Sequence, residues 1–313
     1  MASQGSLKVV LAALIGNGLI AVTKFGAAAF TGSSAMLSEA IHSVVDTSNQ
    51  ALLLYGMRRA KRPADEQHPF GYGREIYFWA FVVAVLIFAV GAGVSMYEGF
   101  EKIRHPHPIT NAYVNYIVLG VAMVFEAGAW WIAYREFERT RGHLGVFEAV
   151  RHSKDPTVFT VLFEDTAAML GLAIAFAGIA LGEYLDMPVL DGVASVMIGV
   201  ILALAAAILA YECKGLLVGE SARAPVVRGI RALVQGRDGV KGVNELLTMH
   251  LGPSDVLVNL SLDFEDGLAS EKVEAAITAM ERTIKESYPE VSRVFIEAQS
   301  LQCHRASQEP PGG

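Results

Sequence analysis

Charge is scarce in this chain. Asp, Glu, Lys and Arg make up 18% of its 313 residues, against about 25% in a soluble globular domain. Hydrophobic residues supply 53%. The deficit excludes an ordinary soluble fold and points to a lipid bilayer. Cysteine is almost missing: Cys213 and Cys303 are the only two, which excludes a disulfide framework and a thiolate zinc site. No small-residue cleavage site follows MASQGSLKVV before the first apolar stretch. That stretch therefore reads as a retained span and not as a signal peptide. The H-E-x-x-H signature is absent, and no Ser or Cys sits beside a base at usable spacing. The chain is not read as an enzyme, and no nucleic-acid partner is expected.

A helical span needs about 20 mostly apolar residues. Such stretches lie at roughly 7–29, 34–57, 76–100, 112–134, 157–181 and 189–212. The last four are strongly apolar, and the small residues of the sixth (GVASVMIGVILALAAAILA) read as close helix packing. The first carries Asn17 and Lys24. The second is the weakest, with Glu39, His42, Asp46, Asn49 and Gln50 set among Ala, Leu, Val and Met. Loop charge supports counting it. Residues 58–74 hold five Lys/Arg, and 135–154 hold Arg135, Arg139, Arg141, Arg151 and Lys154. The loop 101–110 holds only Lys102 and Arg104, and 183–191 holds acids and no base. The positive-inside rule makes the two basic loops cytoplasmic, and six spans then put both termini in the cytoplasm. Arg58, Arg59, Lys61 and Arg62 are expected to anchor anionic lipid head groups.

Past the sixth span the pattern changes. Residues 223–236 are helix-like, 243–250 and 255–264 alternate as strands around Gly252-Pro253, 268–287 have helical periodicity, and 291–299 read as a strand. This α-β-β-α-β order predicts a small α+β domain with helices on one face of a sheet. The expected organisation is an α-helical membrane domain over 1–215, a cytoplasmic domain over 216–303 and a disordered tail over 304–313.

The segment SEAIHSVVDTSNQ is the most informative. Residues four apart share a helix face, so His42 and Asp46 stack, with Glu39 and Asn49 extending the stripe. Ionisable groups inside a span are costly and mark function. An imidazole with a carboxylate is a metal half-site suited to Zn, Fe, Co or Mn more than to Mg or Ca. The fifth span offers the other half at Glu164 and Asp165. Adjacent helical residues diverge by about 100°, so one is expected to coordinate and the other to support it or relay protons. No other intramembrane acid reads as lying in so apolar a context. Neutral His and ionised Asp bind a divalent ion, and protonation releases it. Proton-driven metal movement follows, with His42 as the group that titrates nearest physiological pH.

Together these stretches resemble the cation diffusion facilitator family. The marks are GSSAMLSEAIHSVVDTSNQ, HPFGYGRE, FEDTAAMLG, LDGVASVMIG and YPEVSRVFIEAQS, and the resemblance runs over about residues 7–300. It implies six spans, a cytoplasmic ferredoxin-like domain, a homodimer, and metal/proton antiport by alternating access. It also implies a transport site of two ligands from the second span and two from the fifth, each pair four apart. His42, Asp46 and Asp165 match. The fourth position, often His or Asp, is Val161 here, which resembles the branch that includes mitochondrial zinc transporters. Glu164 is the expected substitute, Asn49 another fourth ligand, and Glu39 an accessory. Zinc is the expected substrate, with iron, cobalt or manganese, or an organic cation exchanged for protons, as alternatives. No cofactor beyond the transported metal is expected.

The resemblance implies further metal positions. Asp65 and His68 match two of three in the cytoplasmic loop, the third being Tyr72. In the C-terminal domain His250, Asp263 and Glu297 match, while Asn244 and Gln299 stand where ligands are expected. The absence of an Arg-rich presequence points to a bacterial plasma membrane.

Overall fold

The computed structural model describes residues 4–109, 111–141, 145, 149 and 153–308. The chain divides into two compact units. One takes the residues up to Arg59 together with Glu75–Lys214; the other takes Ala60–Arg74 and the chain from Gly215 onward.

Among the described residues, the first unit has six long helices: α1 Gln4–Thr31, α2 Ser34–Ala60, α3 Glu75–Arg104, α4 Ala112–Arg141, α5 Pro156–Tyr184 and α6 Val189–Val218. Among the described residues, four helices (α3 to α6) are long and apolar enough to cross a membrane. The middle of α3, Ile87–Ala92, is π-helical. Helices α3 and α6 meet backbone to backbone. A Cβ on Gly99 would lie 2.7 Å from the Gly192 carbonyl oxygen, and one on Gly192 would lie 2.9 Å from that of Gly99. Only glycine permits this approach, and in lipid such packing replaces the hydrophobic effect as the cohesive force.

One buried carboxylate fixes where α2 begins. Asp191, near the start of α6, is fully buried. It accepts from the Ser33 hydroxyl at 2.6 Å, the Ser34 backbone N–H at 2.7 Å, the Ser34 hydroxyl at 3.1 Å and the Ala35 N–H at 3.3 Å. It therefore caps the free N–H groups of α2 from another helix, where the helix dipole also favours an anion. Ser33 adds a local cap by accepting from Met36 N–H at 3.1 Å. The Lys102 ammonium lies 3.8 Å from Asp191 and donates to the Gly32 carbonyl at 2.8 Å. Lys102 is thus not a loop base, as its place in 101–110 led one to expect. Helix α3 runs on to Arg104, and Lys102 is buried in the helix.

The second unit contains α7 Ala224–Gln235, β1 Val240–Gly252, β2 Asp255–Phe264, α8 Ser270–Ser287, β3 Val291–Ala298 and α9 Leu301–Gln308. The sheet order is β1-β2-β3, with β2 antiparallel to β1 and parallel to β3. Alternate residues of β2 (Val256, Val258, Leu260 and Leu262) are buried in one core with Ile230 and Val234 of α7 and Met280 and Ile284 of α8. Period two on the strand meets a helical stripe on each helix, as the sequence pattern requires.

The expected disordered tail is corrected in part. Residues 301–308 form α9. Ser300 starts it, its hydroxyl accepting from Cys303 N–H at 3.3 Å, and the buried His304 ring nitrogen Nδ1 lies 3.0 Å from Gln299 Oε1. The tail beyond 308 lies outside the described residues, as does Arg151 of the second basic stretch. Arg59 is engaged by Glu75 at 2.8 Å, and Arg62 lies over the Tyr72 ring.

Removing one partner of a buried charge network costs about 3–5 kcal/mol. Asp191→Ala should cost that much and lower the thermal unfolding midpoint of the protein in detergent, with Asp191→Asn intermediate. An Asp191→Ala midpoint equal to the parent's would show that the cap contributes nothing.

Candidate metal centre

Two helices present the candidate residues, and each has its start fixed by a cap. The start of α2 is set by Ser33 and Asp191. The start of α5 is set by Asp155, whose carboxylate accepts from Thr157 N–H at 3.0 Å, with Pro156 in the first turn. Fixed starts fix which residues face inward. On α2 the buried stripe runs Ala35, Glu39, His42, Asp46, Asn49, Leu53. On α5 Glu164 and Asp165 are both buried, within an apolar stretch that includes Leu162 and Ala167.

The two helices meet through Asn49 and Glu164. The Asn49 side-chain amide donates to Glu164 Oε1 at 2.8 Å. Asp46 lies near Glu164, and its charge acts on both Glu164 and Asp165. Val161 is half-buried. What distinguishes the place is unmet polarity. Both ring nitrogens of His42, Oδ1 of Asp46, Oδ1 of Asn49, Oε2 of Glu164 and Oε1 of Glu39 are buried without a hydrogen-bond partner. Each such atom costs about 1–3 kcal/mol, so a cluster of them on facing helices is retained for a use. A divalent cation accepts electron pairs from this donor set. Among the described residues, however, no group of three His, Cys, Asp or Glu stands at ion-binding separation. The structure brings Asn49 to Glu164 and Asp46 near Glu164. It does not gather His42, Asp46, Glu164 and Asp165 around one point.

Glu39 is committed elsewhere. Its Oε2 lies 3.1 Å from the Lys24 ammonium of α1. The spacing of α2 could not reveal this, because the partner sits on another helix. A second residue escaped the sequence reading. Glu126, in GVAMVFEAGAWW of α4, is an intramembrane acid in as apolar a context as Glu164 and Asp165. Its charge acts on Asp46 and Asp165. The expectation that no such further acid exists is corrected. The lone Glu in that apolar run was the available signal.

In the second unit, the loop 60–74 packs on the sheet. Arg293 donates to the Pro69 carbonyl at 3.1 Å and lies over the Phe70 ring, and Arg74 NH2 lies 2.9 Å from Met249 Sδ. A cavity of about 240 Å³ is lined by His68, Pro69, Phe70, Arg74, Met249 and Leu251. Asp65 and His68 do come together, with Asp65 Oδ1 3.4 Å from the His68 ring. Both Asp65 oxygens already accept, one from His68 N–H at 2.7 Å and one from the Tyr72 hydroxyl at 2.6 Å. The expected residues His250, Asp263 and Glu297 do not gather within one chain. His250 pairs with Val256 at one end of β2, while Asp263 pairs with Gly242 near the other. At about 3.3 Å per residue they stand about 23 Å apart along the strand.

Comparison with known proteins decides the family. The profile of the cation efflux transmembrane domain matches residues 10–218. The chain belongs to the cation diffusion facilitator family. The chain is 33% identical over 264 residues to the Homo sapiens protein named proton-coupled zinc antiporter SLC30A9, mitochondrial, covering 84% of this chain and 46% of the relative. It is 28% identical over 263 residues to metal tolerance protein C4 of Arabidopsis thaliana, covering 83% of this chain and 58% of the relative. The chain therefore spans about half the length of the curated relatives it matches. The family is one of integral membrane transporters and not of enzymes, in accord with the four apolar helices. A bacterial plasma membrane gains no support, since the human relative is named as mitochondrial.

The loop of this facilitator gives a pH test. The Tyr72 hydroxyl, and then the His68 N–H, hold the Asp65 carboxyl below its ordinary value of 3.8. A folded value lower than the unfolded one means that Asp65 stabilises the loop fully above 3.8 and that this is lost as pH falls through the lower folded value. Pepsin cleavage within 60–74 should therefore be faster in Asp65→Asn than in the parent at about pH 5, and the ratio of the two rates, which cancels the protease's own pH dependence, should fall towards one as acid takes the pH through the lower folded value. A ratio that does not change with pH would discount the contact.

Proposed function

We propose that the protein exports a divalent transition-metal ion, zinc foremost, in exchange for protons, through a site formed by His42, Asp46, Asp165 and Glu164. The observation that carries this is the cluster of buried, unpartnered donor atoms on facing helices of a cation diffusion facilitator. The human relative's name, a proton-coupled zinc antiporter, supports the same reading. With Val161 in the remaining ligand position, Glu164 is the substitute, and Asn49 orients it through its 2.8 Å hydrogen bond.

The chemistry follows from the donor set. Two or three carboxylates and a neutral imidazole offset the charge of a divalent ion and replace its water shell. A closing movement of α2 against α5 draws the side chains onto the ion. Protons arriving from the other side compete for the same lone pairs and release it. A proton gradient thus drives the metal by mass action at one site. Iron, cobalt and manganese suit the same donors, so a competition series belongs to the test.

The topology proposed with this function is six spans, α1 and α2 joining α3 to α6, with both termini cytoplasmic. Helices α1 and α2 are 28 and 27 residues long, enough for a bilayer. The α-β-β-α-β order of the second unit supports a ferredoxin-like reading. Its open sheet face supports a homodimer. Leu247, Asn259 and Phe295 stand side by side across β1, β2 and β3, with Leu247 and Phe295 53% and 52% exposed. Metal at Asp65 and His68, or at His250, Asp263 and Glu297 between paired domains, stays subordinate. The loop pair offers two ligands whose oxygens are engaged, and the domain set requires two chains.

The decisive experiment is zinc uptake into metal-free proteoliposomes under a pH gradient. The parent protein should take up zinc faster with the gradient than without it, and manganese, iron and cobalt should compete less well. His42→Ala/Asp46→Ala should reduce uptake by about 100-fold or more, the scale of two lost metal ligands. Undiminished uptake would remove the site. In a separate measurement, Leu247→Glu/Phe295→Glu should halve the mass found by light scattering in detergent, and an unchanged mass would place any dimer contact elsewhere.

A further inference from the structure

The proposed exchange leaves one buried cation unexplained. Lys24 of α1 is fully buried. Its ammonium donates to Glu39 Oε2 at 3.1 Å and to Ser43 Oγ at 2.8 Å. Glu39 lies three residues before His42 and Ser43 directly after it, so these contacts bracket the imidazole on α2. Glu39 is closed in from α5 as well: a Cβ on Gly171 would collide with Oε1. The carboxylate is therefore boxed between α1 and α5. The charge of Lys24 reaches beyond its partner and acts on His42, Asp46 and Glu126.

We propose that Lys24 is a positioning residue that sets the affinity of the transport site: it withholds Glu39 from the ion and offsets one of the negative charges that face it. The inference rests on the site proposed above. Without Lys24, the acids Glu39, Asp46, Glu126, Glu164 and Asp165 would confront a divalent cation at low dielectric, where each charge acts strongly. A transport site must bind well enough to load and weakly enough to release. A resident ammonium lowers the net negative charge by one without occupying a ligand position. It also explains a lysine that α1 would otherwise keep at a cost.

The test is zinc binding by calorimetry on the purified full-length protein in detergent, with folding checked by size-exclusion profile. Lys24→Met frees Glu39 and removes a positive charge, so the Kd for zinc should fall about tenfold. Glu39→Gln keeps the cation and removes its partner, so the Kd should rise about tenfold. Lys24→Met/Glu39→Gln should lie between the two. Opposite signs in the single variants are what charge requires. A purely structural pair would weaken binding in both, and that result, or two unchanged Kd values, overturns the proposal. If Lys24→Met does not fold, the order of the other two decides: the double variant must bind more tightly than Glu39→Gln, and the reverse order overturns it. His42→Ala/Asp46→Ala separates the two readings. If it still binds zinc, the site itself is wrong. If it does not bind while the Lys24 and Glu39 variants match the parent, only this inference fails.

Discussion

A charge inside a bilayer must be paired or used. No water waits there to solvate it, and the cost of leaving it bare runs to several kcal/mol. The first unit is organised around that constraint. Two groups stand out among its buried charges. Lys24 with Glu39, and Lys102 with Asp191, are paired across helices. His42, Asp46 and Glu164 keep donor atoms without partners. The paired groups position the helices, and the unpaired ones supply the donor atoms on which the proposed site rests.

The two pairs act at different points of α2. Asp191 caps its first turn from α6, and so fixes the rotation and height of the stripe that follows. Lys24 meets Glu39 less than two turns further on and ties the same stripe to α1. Between them, α2 has little freedom to turn away from α5. A helix with so many polar residues gains little from lipid. It is held by specific polar contacts with its neighbours, which is also why it can carry a site. Where α3 meets α6, Gly99 and Gly192 bring the backbones together, and polar contacts flank that approach: Ser195 Oγ donates to the Ser95 carbonyl at 2.8 Å and Lys102 lies 3.8 Å from Asp191.

Much of this was legible in the sequence, because it depends on local period. Helix starts at Ser34 and Pro156, the alternation along β2, and the face shared by Glu39, His42, Asp46 and Asn49 all follow from spacing within one element. Glu126 was legible too, as a lone acid in an apolar run. The helix at Leu301–Gln308 was not legible, since a polar segment of eight residues has no periodic signal and takes its shape from Ser300 and Gln299.

The sequence by itself determined that the chain is a membrane protein with ionisable residues at helical spacing, and it pointed to its family. Composition and period are local properties, and no fold is needed to read them. Only the tertiary structure decided what each charge faces. It committed Glu39 to Lys24, turned Lys102 from a loop base into a partner of Asp191, and set Asn49 on Glu164. It also assigned the loop 60–74 to the C-terminal sheet and kept His250 apart from Asp263 on β2. Each of these is a contact between residues far apart in the chain. Their pairing is fixed by packing and by the cost of burying charge, and a single sequence does not print either one.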